Sequence, residues 1–179
     1  MAEFLWIFWS FSLLGWVRER LFAAVTRSPR QRRRCLLLLP LCPVYGLGMA
    51  AVLALPPSLR SGWPLYLWGG LTATSVEYIY HWWGETFLGV SFWDYTGVFG
   101  NFRGRVCLPF SLAWGLLLFP AVYLVTPPVV ALADRVPIGV TWWLLLAFTA
   151  DAVCSLRFLA VTHDLEALRA VIWPVSADR

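Results

Sequence analysis

Apolar residues fall along this chain in five long stretches, each interrupted by few charged positions. A transmembrane helix needs about 20 mainly apolar residues to cross a hydrocarbon core about 30 Å thick. The pattern therefore predicts an all-α, polytopic integral-membrane bundle that forms a single transmembrane domain over residues 1–179. The five predicted helices lie near Glu3–Phe22, Leu36–Leu55, Trp63–Leu88, Val106–Val125 and Ile138–Thr162.

The composition supports a membrane location. The chain is 60% hydrophobic and 13% charged, whereas a soluble domain carries about 25% charged residues. All 14 basic residues are arginine. Without a lysine the chain has no P-loop and no lysine Schiff base. Any ATP-driven activity therefore requires an ATPase or another membrane subunit in trans.

The basic residues predict the orientation of the chain. Loops rich in arginine stay on the cytoplasmic side of a membrane, and beside an apolar helix this interpretation is simpler than nucleic-acid binding. The prediction is a bacterial protein of the cytoplasmic membrane that contacts membrane lipids and does not bind nucleic acid. Its N-terminus lies outside and its C-terminus inside, with Thr126–Val136 as an outer loop. The arginines of the first loop are Arg27, Arg30, Arg32, Arg33 and Arg34.

Five acidic residues lie inside or against the predicted helices. An ionised side chain at the centre of a membrane helix costs about 2.5 kcal/mol or more. These groups must therefore face the protein interior, a cavity or each other, which makes them the first candidates for a functional site. They are Glu19, Glu77, Glu85, Asp94 and Asp151.

Glu77, His81 and Glu85 follow one another at intervals of four residues in the third helix. This spacing places them on one face of the helix. Three interpretations remain open: a structural polar network, a substrate or proton site, and, as the weakest, a metal site. The spacing differs from the Glu-x-x-His pair of di-iron bundles. No cofactor is assigned.

Asp151 stands in an otherwise apolar part of the fifth helix. Such a residue requires a partner. The candidates are Arg157, a group on another helix, or a water-filled cavity. Ser155 lies one turn away on the same face.

The segment Gly89–Arg105 contains four glycines and predicts a partly re-entrant or interfacial loop. Its residues Arg103 and Arg105 have forked donors that suit phosphate or carboxylate. One interpretation is a site for a lipid headgroup or an anionic substrate. The other pairs these arginines with acids at the same membrane face, namely Glu19, Glu85 and Asp94.

In the second predicted helix, Gly46, Ala50 and Ala54 recur every four residues. Small residues at this spacing let membrane helices approach closely. We therefore expect this stripe to pack against a neighbouring helix.

An ordered set of short motifs resembles the CmpB-like family of type IV ABC-transporter permeases. The resemblance implies a membrane transport role and adds Tyr45, Tyr78 and Asn101 to the candidate site residues. This chain departs from the family at Cys35 and Leu39, where glycine is usual. The motifs are Gly15-Trp16-x-x-Glu19, Arg34 followed by Pro40-x-Cys42-Pro43-Val44-Tyr45-Gly46, Glu77-Tyr78, Gly84-Glu85, Trp93-Asp94-Tyr95-Thr96, Asn101-x-x-Gly104-Arg105-Val106-Cys107-Leu108 and Trp114-Gly115.

Three functions fit these observations. The first is a small transporter or permease subunit whose substrate is unknown. Five helices enclose a narrow pathway, so this function favours a homo-oligomer or additional subunits. The second is an intramembrane enzyme that acts on a lipid or another apolar substrate by acid–base chemistry. The third is a non-catalytic membrane partner in which the polar residues hold helices together.

Overall fold

The computed structural model describes residues 1–26 and 35–170, and most of these residues are helical. The arginines at positions 27–34, on which the predicted orientation rests, lie outside the described residues. Helix α1 spans Ala2–Thr26 and α2 spans Pro43–Leu53. After a 3₁₀ turn at Pro57–Leu59, helix α3 runs without a break over residues 62–88.

The second half of the chain contributes two long helices and a short one. Helix α4 spans Leu108–Ala133, α5 spans Ile138–Thr162 and α6 spans Leu165–Ala170. Between α3 and α4, strand β1 (Asn101–Phe102) pairs with β2 (Val106–Cys107) in an antiparallel hairpin. Both α3 and α4 contain π-helical turns, at Leu65–Gly69 and Gly84–Leu88 in α3 and at Ala121–Val125 in α4.

Contacts between helix ends establish the relative directions of the helices. The indole Nε1 of Trp6, near the start of α1, donates to Thr141 Oγ1 near the start of α5 at 3.1 Å. At the opposite end, Nδ1 of His163, just after α5, lies 2.6 Å from the carbonyl oxygen of Leu88 at the end of α3. Helices α1, α3 and α5 therefore run in one direction, and α2 and α4 return in the other.

The second helix is shorter than the predicted Leu36–Leu55. It begins at Pro43, and residues 35–42 are irregular. Proline is favoured at the first helical position and disfavours helical backbone in the residue before it. Cys42 accordingly has extended backbone, with φ −117° and ψ 92°, and its N–H donates to the carbonyl of Ser12 at 2.9 Å.

The segment predicted as the outer loop Thr126–Val136 is helical as far as Ala133. The preceding Pro120 has no N–H and so cannot make its own helical hydrogen bond. A π-helical turn follows it directly at Ala121–Val125. Such turns absorb a local break in the hydrogen-bond ladder. The helix then continues through the two prolines after Thr126, which lie in the first regular turn after the π-helical one.

Two described helices, Leu108–Ala133 and Ile138–Thr162, are long and apolar enough to cross a membrane. In the most apolar 18-residue stretch of each helix, only 11% is buried inside the protein. Helix α2 has 11 residues, which span about 16 Å at 1.5 Å per residue. The five-span architecture thus remains a prediction.

Close packing of α1 and α2 explains one glycine of the small-residue stripe. A side chain at Gly46 would meet the carbonyl oxygen of Phe8 and the hydroxyl of Ser12. The neighbouring Gly48 has open space where a Cβ would lie. The two glycines therefore serve different purposes although they are only two residues apart.

We predict that Gly46→Val lowers the free energy of unfolding by about 1–3 kcal/mol, because overpacking forces α1 and α2 apart. The matched control is Gly48→Ala in the same helix, which should be neutral or stabilising by up to about 1 kcal/mol. Thermal unfolding of the purified protein in detergent measures both. Equal effects of the two substitutions would contradict the described packing.

Candidate functional site

The candidate acids Glu19, Glu77, Glu85 and Asp151 lie on the three parallel helices α1, α3 and α5, and Asp94 lies in the loop after α3. In each of the three helices the candidate acids lie between the middle and the C-terminal end. The acids therefore occupy one half of the bundle, which we call the acidic half.

Glu77 is the most deeply buried of these acids, with 2% of its surface exposed. Its Oε2 accepts a hydrogen bond from the indole Nε1 of Trp114 in α4 at 2.8 Å. Its Oε1 accepts one from the hydroxyl of Tyr95, in the loop after α3, at 3.3 Å. Buried charges require such donors because burial removes their hydration. The carboxylate therefore joins three separate parts of the chain.

A cavity of about 80 Å³ lies beside Glu77 between α1, α2, α3 and α4. Helix α2 contributes Tyr45 and Gly48, and α4 contributes Trp114 and Leu117. The remaining described lining residues are apolar. The arrangement, a mainly apolar cavity with a few convergent polar groups, is typical of small-molecule sites.

Glu19 forms a second polar cluster next to this cavity. It accepts hydrogen bonds from the hydroxyl of Tyr45 and from the guanidinium of Arg18, the latter at 3.2 Å. Arg18 also donates to the Tyr45 hydroxyl at 2.6 Å, and its Cζ lies 5.1 Å from the ring centroid of Trp114. Tyr45 and Trp114 meet edge to face at 5.4 Å. These two aromatic residues thus connect the Glu19 cluster with Glu77.

Glu85 lies nearer the end of α3 and pairs with Arg105. The Nε of Arg105 donates to Glu85 Oε2 at 2.8 Å, and its Nη1 donates to the hydroxyl of Tyr78 at 2.8 Å. Burial lowers the pKa of the Arg105 guanidinium, but its hydrogen bonds to Glu85 and Tyr78 outweigh burial and raise that pKa above its ordinary value. Arg105 is therefore a permanent cation.

His81 is buried, with 1% of its surface exposed. Its Nε2 lies 3.1 Å from Glu85 Oε1 and 3.2 Å from the hydroxyl oxygen of Ser91. A serine nucleophile and an orienting acid would contact different nitrogens of the histidine. Because both groups meet the same nitrogen here, this cluster does not have the geometry of a catalytic triad.

The suggested metal site is not assembled in the part of the chain that the structure describes. Glu77 binds Tyr95 and Trp114, whereas His81 and Glu85 contact each other. Within residues 1–26 and 35–170, no group of three His, Cys, Asp or Glu side chains could hold a metal ion.

The loop candidates Asp94 and Asn101 shape the backbone around the hairpin. Asp94 Oδ1 accepts the N–H of Thr96 at 2.7 Å, and Asn101 Oδ1 accepts the N–H of Gly104 at 3.2 Å. Gly104 has φ +69°, a conformation open mainly to glycine. These turns place Arg105 against α3.

The neighbouring Arg103 lies on the surface. Its guanidinium Cζ is 5.8 Å from the ring centroid of Phe102. The structure shows no ion pair of Arg103 with an acid among residues 1–26 and 35–170. The two loop arginines therefore differ in environment, since only Arg105 is held by an acid.

Asp151 in α5 binds the irregular segment before α2. Its two carboxylate oxygens accept the backbone N–H groups of Leu38 at 3.1 Å and Leu39 at 3.0 Å. The hydroxyl of Ser155 donates to the same carboxylate at 3.1 Å. Backbone N–H groups outside regular secondary structure need acceptors within the protein when water does not reach them. Asp151 supplies two of them, and the predicted alternative Arg157 is an exposed residue.

Four contact residues were not among the sequence candidates. Arg18 stands next to Glu19, and Ser91 lies in the glycine-rich loop, but neither carries a recognisable local signal. Tyr95 and Trp114 belong to quoted family motifs, and these were the signals that could have identified them as donors to Glu77.

A family model described as "Putative ABC-transporter type IV" matches residues 6–156. The matched range contains all five candidate acids, and the match confirms the resemblance carried by the sequence motifs. A comparison with curated proteins finds no match. A comparison with solved structures also finds none.

We predict that Asp151→Asn exposes the backbone of Leu38 and Leu39 to exchange. Asparagine retains one acceptor oxygen and presents an N–H₂ group in place of the second. An N–H left without an acceptor costs about 1–3 kcal/mol. Hydrogen exchange measured by mass spectrometry should accelerate in residues 35–42.

The control for this experiment is Ser155→Ala, which removes a donor to Asp151 but leaves both carboxylate oxygens in place as acceptors for the two backbone N–H groups. It should change exchange in residues 35–42 less than Asp151→Asn does. Unchanged exchange in the Asp151→Asn protein would show that the carboxylate does not hold this segment.

We predict that Arg105→Gln lowers Tm by an amount that stays constant between about pH 6 and pH 9. A group whose pKa is raised by folding contributes stability at every pH below its ordinary pKa. That contribution is lost only as the pH rises through the folded value. For an arginine both values lie above this range.

The measurement is a series of melting curves of both proteins across that pH range. Arg105→Lys is the companion variant, because it keeps the charge but loses the fork that contacts Glu85 and Tyr78 together. A Tm difference between the original protein and Arg105→Gln that shrinks steadily toward pH 9 would contradict a raised pKa at Arg105.

Proposed function

The chain belongs to the family described as type IV ABC transporters, and we propose that it is an integral-membrane subunit of a transporter. In this proposal Glu77 and the adjacent cavity form the intramembrane site for the substrate or for a proton. The observation that carries the proposal is a buried carboxylate in the wall of a cavity that four helices line.

The cavity combines the properties that a transport site requires. Ionisable groups inside membrane proteins usually face the interior or a cavity and mark ion or substrate pathways. Glu77 has this position, and Tyr95 and Trp114 hold its carboxylate at a fixed place. Transport folds also place binding sites at discontinuous helices. In this chain the short helix α2 follows the irregular residues 35–42, and its Tyr45 and Gly48 line the cavity.

We further propose that five helical runs cross the bilayer, with the loop after α3 at the cytoplasmic face. The irregular residues 35–42 and the helix α2 that follows them then form one crossing together. Asp151 supports this arrangement because it supplies acceptors for N–H groups that lipid could not satisfy. The orientation with the N-terminus outside and the C-terminus inside rests on the arginines of the first loop.

An ATPase partner follows from the same premise. The chain has no lysine and hence no P-loop, so nucleotide hydrolysis would take place on another subunit. A second copy of this chain, or a different membrane subunit, would widen the pathway. The apolar outer faces of α4 and α5 leave room for such a neighbour.

We predict that Glu77→Gln abolishes substrate redistribution while the protein still folds, because glutamine keeps the volume but removes the charge. Cells would lack the gene, carry it, or carry the Glu77→Gln form. The measurement is untargeted mass spectrometry of small molecules and lipids in membranes and medium. The matched control is Asp134→Asn. Asp134 is an exposed acid directly after the C-terminal end of α4, and its variant should behave like the original protein.

Each outcome has a separate meaning. Unchanged masses that move between cells and medium in a Glu77-dependent way would support transport. A new or missing chemical mass that depends on Glu77 would indicate an enzyme acting on a lipid or apolar substrate and would contradict transport. The absence of any Glu77-dependent change, with stable protein present, would favour a non-catalytic membrane partner.

A further inference from the structure

We propose that the cavity beside Glu77 binds a small lipophilic amine in its protonated form. This inference rests on the proposed function and names the substrate class of the same site. It is drawn from the chemistry of the cavity wall, from its size and from the open space at Gly48.

The wall of the cavity favours a positive charge. Among the described lining residues Glu77 is the one carboxylate, and none is basic. Opposite charges attract and like charges repel more strongly in a low-dielectric site than in water. A carboxylate at Glu77 would therefore repel an anionic ligand and attract an ammonium ion.

The aromatic residues of the wall also suit a cation. Tyr45 and Trp114 line the cavity together with Glu77. The electron-rich faces of such rings attract ammonium and guanidinium groups. The chain itself shows this attraction, since the Arg18 guanidinium lies 5.8 Å from the Tyr45 centroid and 5.1 Å from that of Trp114.

The remaining wall and the volume limit the ligand to a small apolar body. Met49 and Leu117 are among the apolar residues of the lining. An engineered apolar cavity of about 150 Å³ binds benzene, and this cavity measures about 80 Å³. In proportion it holds about three non-hydrogen atoms, so a compact alkylammonium ion would place its charged end inside and the rest of its body toward the opening. Leu117 is 42% exposed, so the cavity reaches the outer face of α4, where an amine dissolved in the bilayer could enter.

Gly48 provides a way to fill the cavity without disturbing the fold. It lines the cavity, has helical backbone and has open space at the position of a Cβ. A larger side chain at this position would project into the space that the ligand needs. Replacing a helical glycine also removes the conformational penalty that glycine carries in a helix.

The test uses three probes of nearly equal shape, namely tert-butylammonium, tert-butanol and pivalate, which are positive, neutral and negative at neutral pH. Saturation-transfer NMR on the purified full chain in detergent gives their affinities. We expect tert-butylammonium to bind at least tenfold more tightly than tert-butanol, and pivalate not to bind. Glu77→Gln should weaken tert-butylammonium binding at least tenfold and leave tert-butanol unchanged. Gly48→Leu should abolish binding of both.

Several results would overturn the proposal. One is equal affinity for tert-butylammonium and tert-butanol, another is binding of pivalate, and a third is full binding by a folded Gly48→Leu protein. Gly48→Leu keeps the test decisive if Glu77→Gln does not fold. Binding does not depend on transport, so the two proposals fail separately. Glu77-dependent redistribution in cells without amine binding would reject only the amine. Amine binding without redistribution would reject only transport.

Discussion

The central constraint on this protein is the cost of holding carboxylates among apolar side chains. The structure meets that cost by bringing hydrogen-bond donors from distant parts of the sequence. Glu77 receives donors from the loop after α3 and from α4, and Asp151 receives them from the segment before α2. Each acid therefore fastens its own helix to another part of the chain. The contacts that make these charges tolerable also position the candidate site.

The cavity exists because α2 presents different surfaces to its two neighbours. At Gly46, α1 packs so closely against α2 that a side chain would not fit at this position. At Gly48 there is open space, and this residue lines the same cavity as Glu77. Tyr45 lies between these environments, with its hydroxyl bound to Glu19 and its ring against Trp114. The cavity is thus bounded on one side by tightly packed helices and on the other by an aromatic and acidic wall. A rigid frame of this kind can hold a binding site at a constant geometry.

The sequence predicted some of these features and could not predict others. The spacing of Glu77, His81 and Glu85 indicated a shared helix face, since this follows from helix geometry alone. The partners Trp114 and Arg105 are 37 and 20 residues from the acids they contact, and such pairings depend on how helices pack. The helix beyond Thr126 was missed because paired prolines usually end a helix, and here a π-helical turn precedes them.

Reagent access to the cavity tests the central claim most directly. A Gly48→Cys protein, with the exposed Cys154 changed to serine, would be treated in membranes with a cationic and an anionic methanethiosulfonate of similar size. The exposed Gly139→Cys serves as the reference for intrinsic reactivity. A cavity walled by the Glu77 carboxylate predicts that the thiol at position 48 reacts faster with the cationic reagent than with the anionic one, relative to position 139. No reaction, or equal rates, would contradict an accessible and negatively charged cavity.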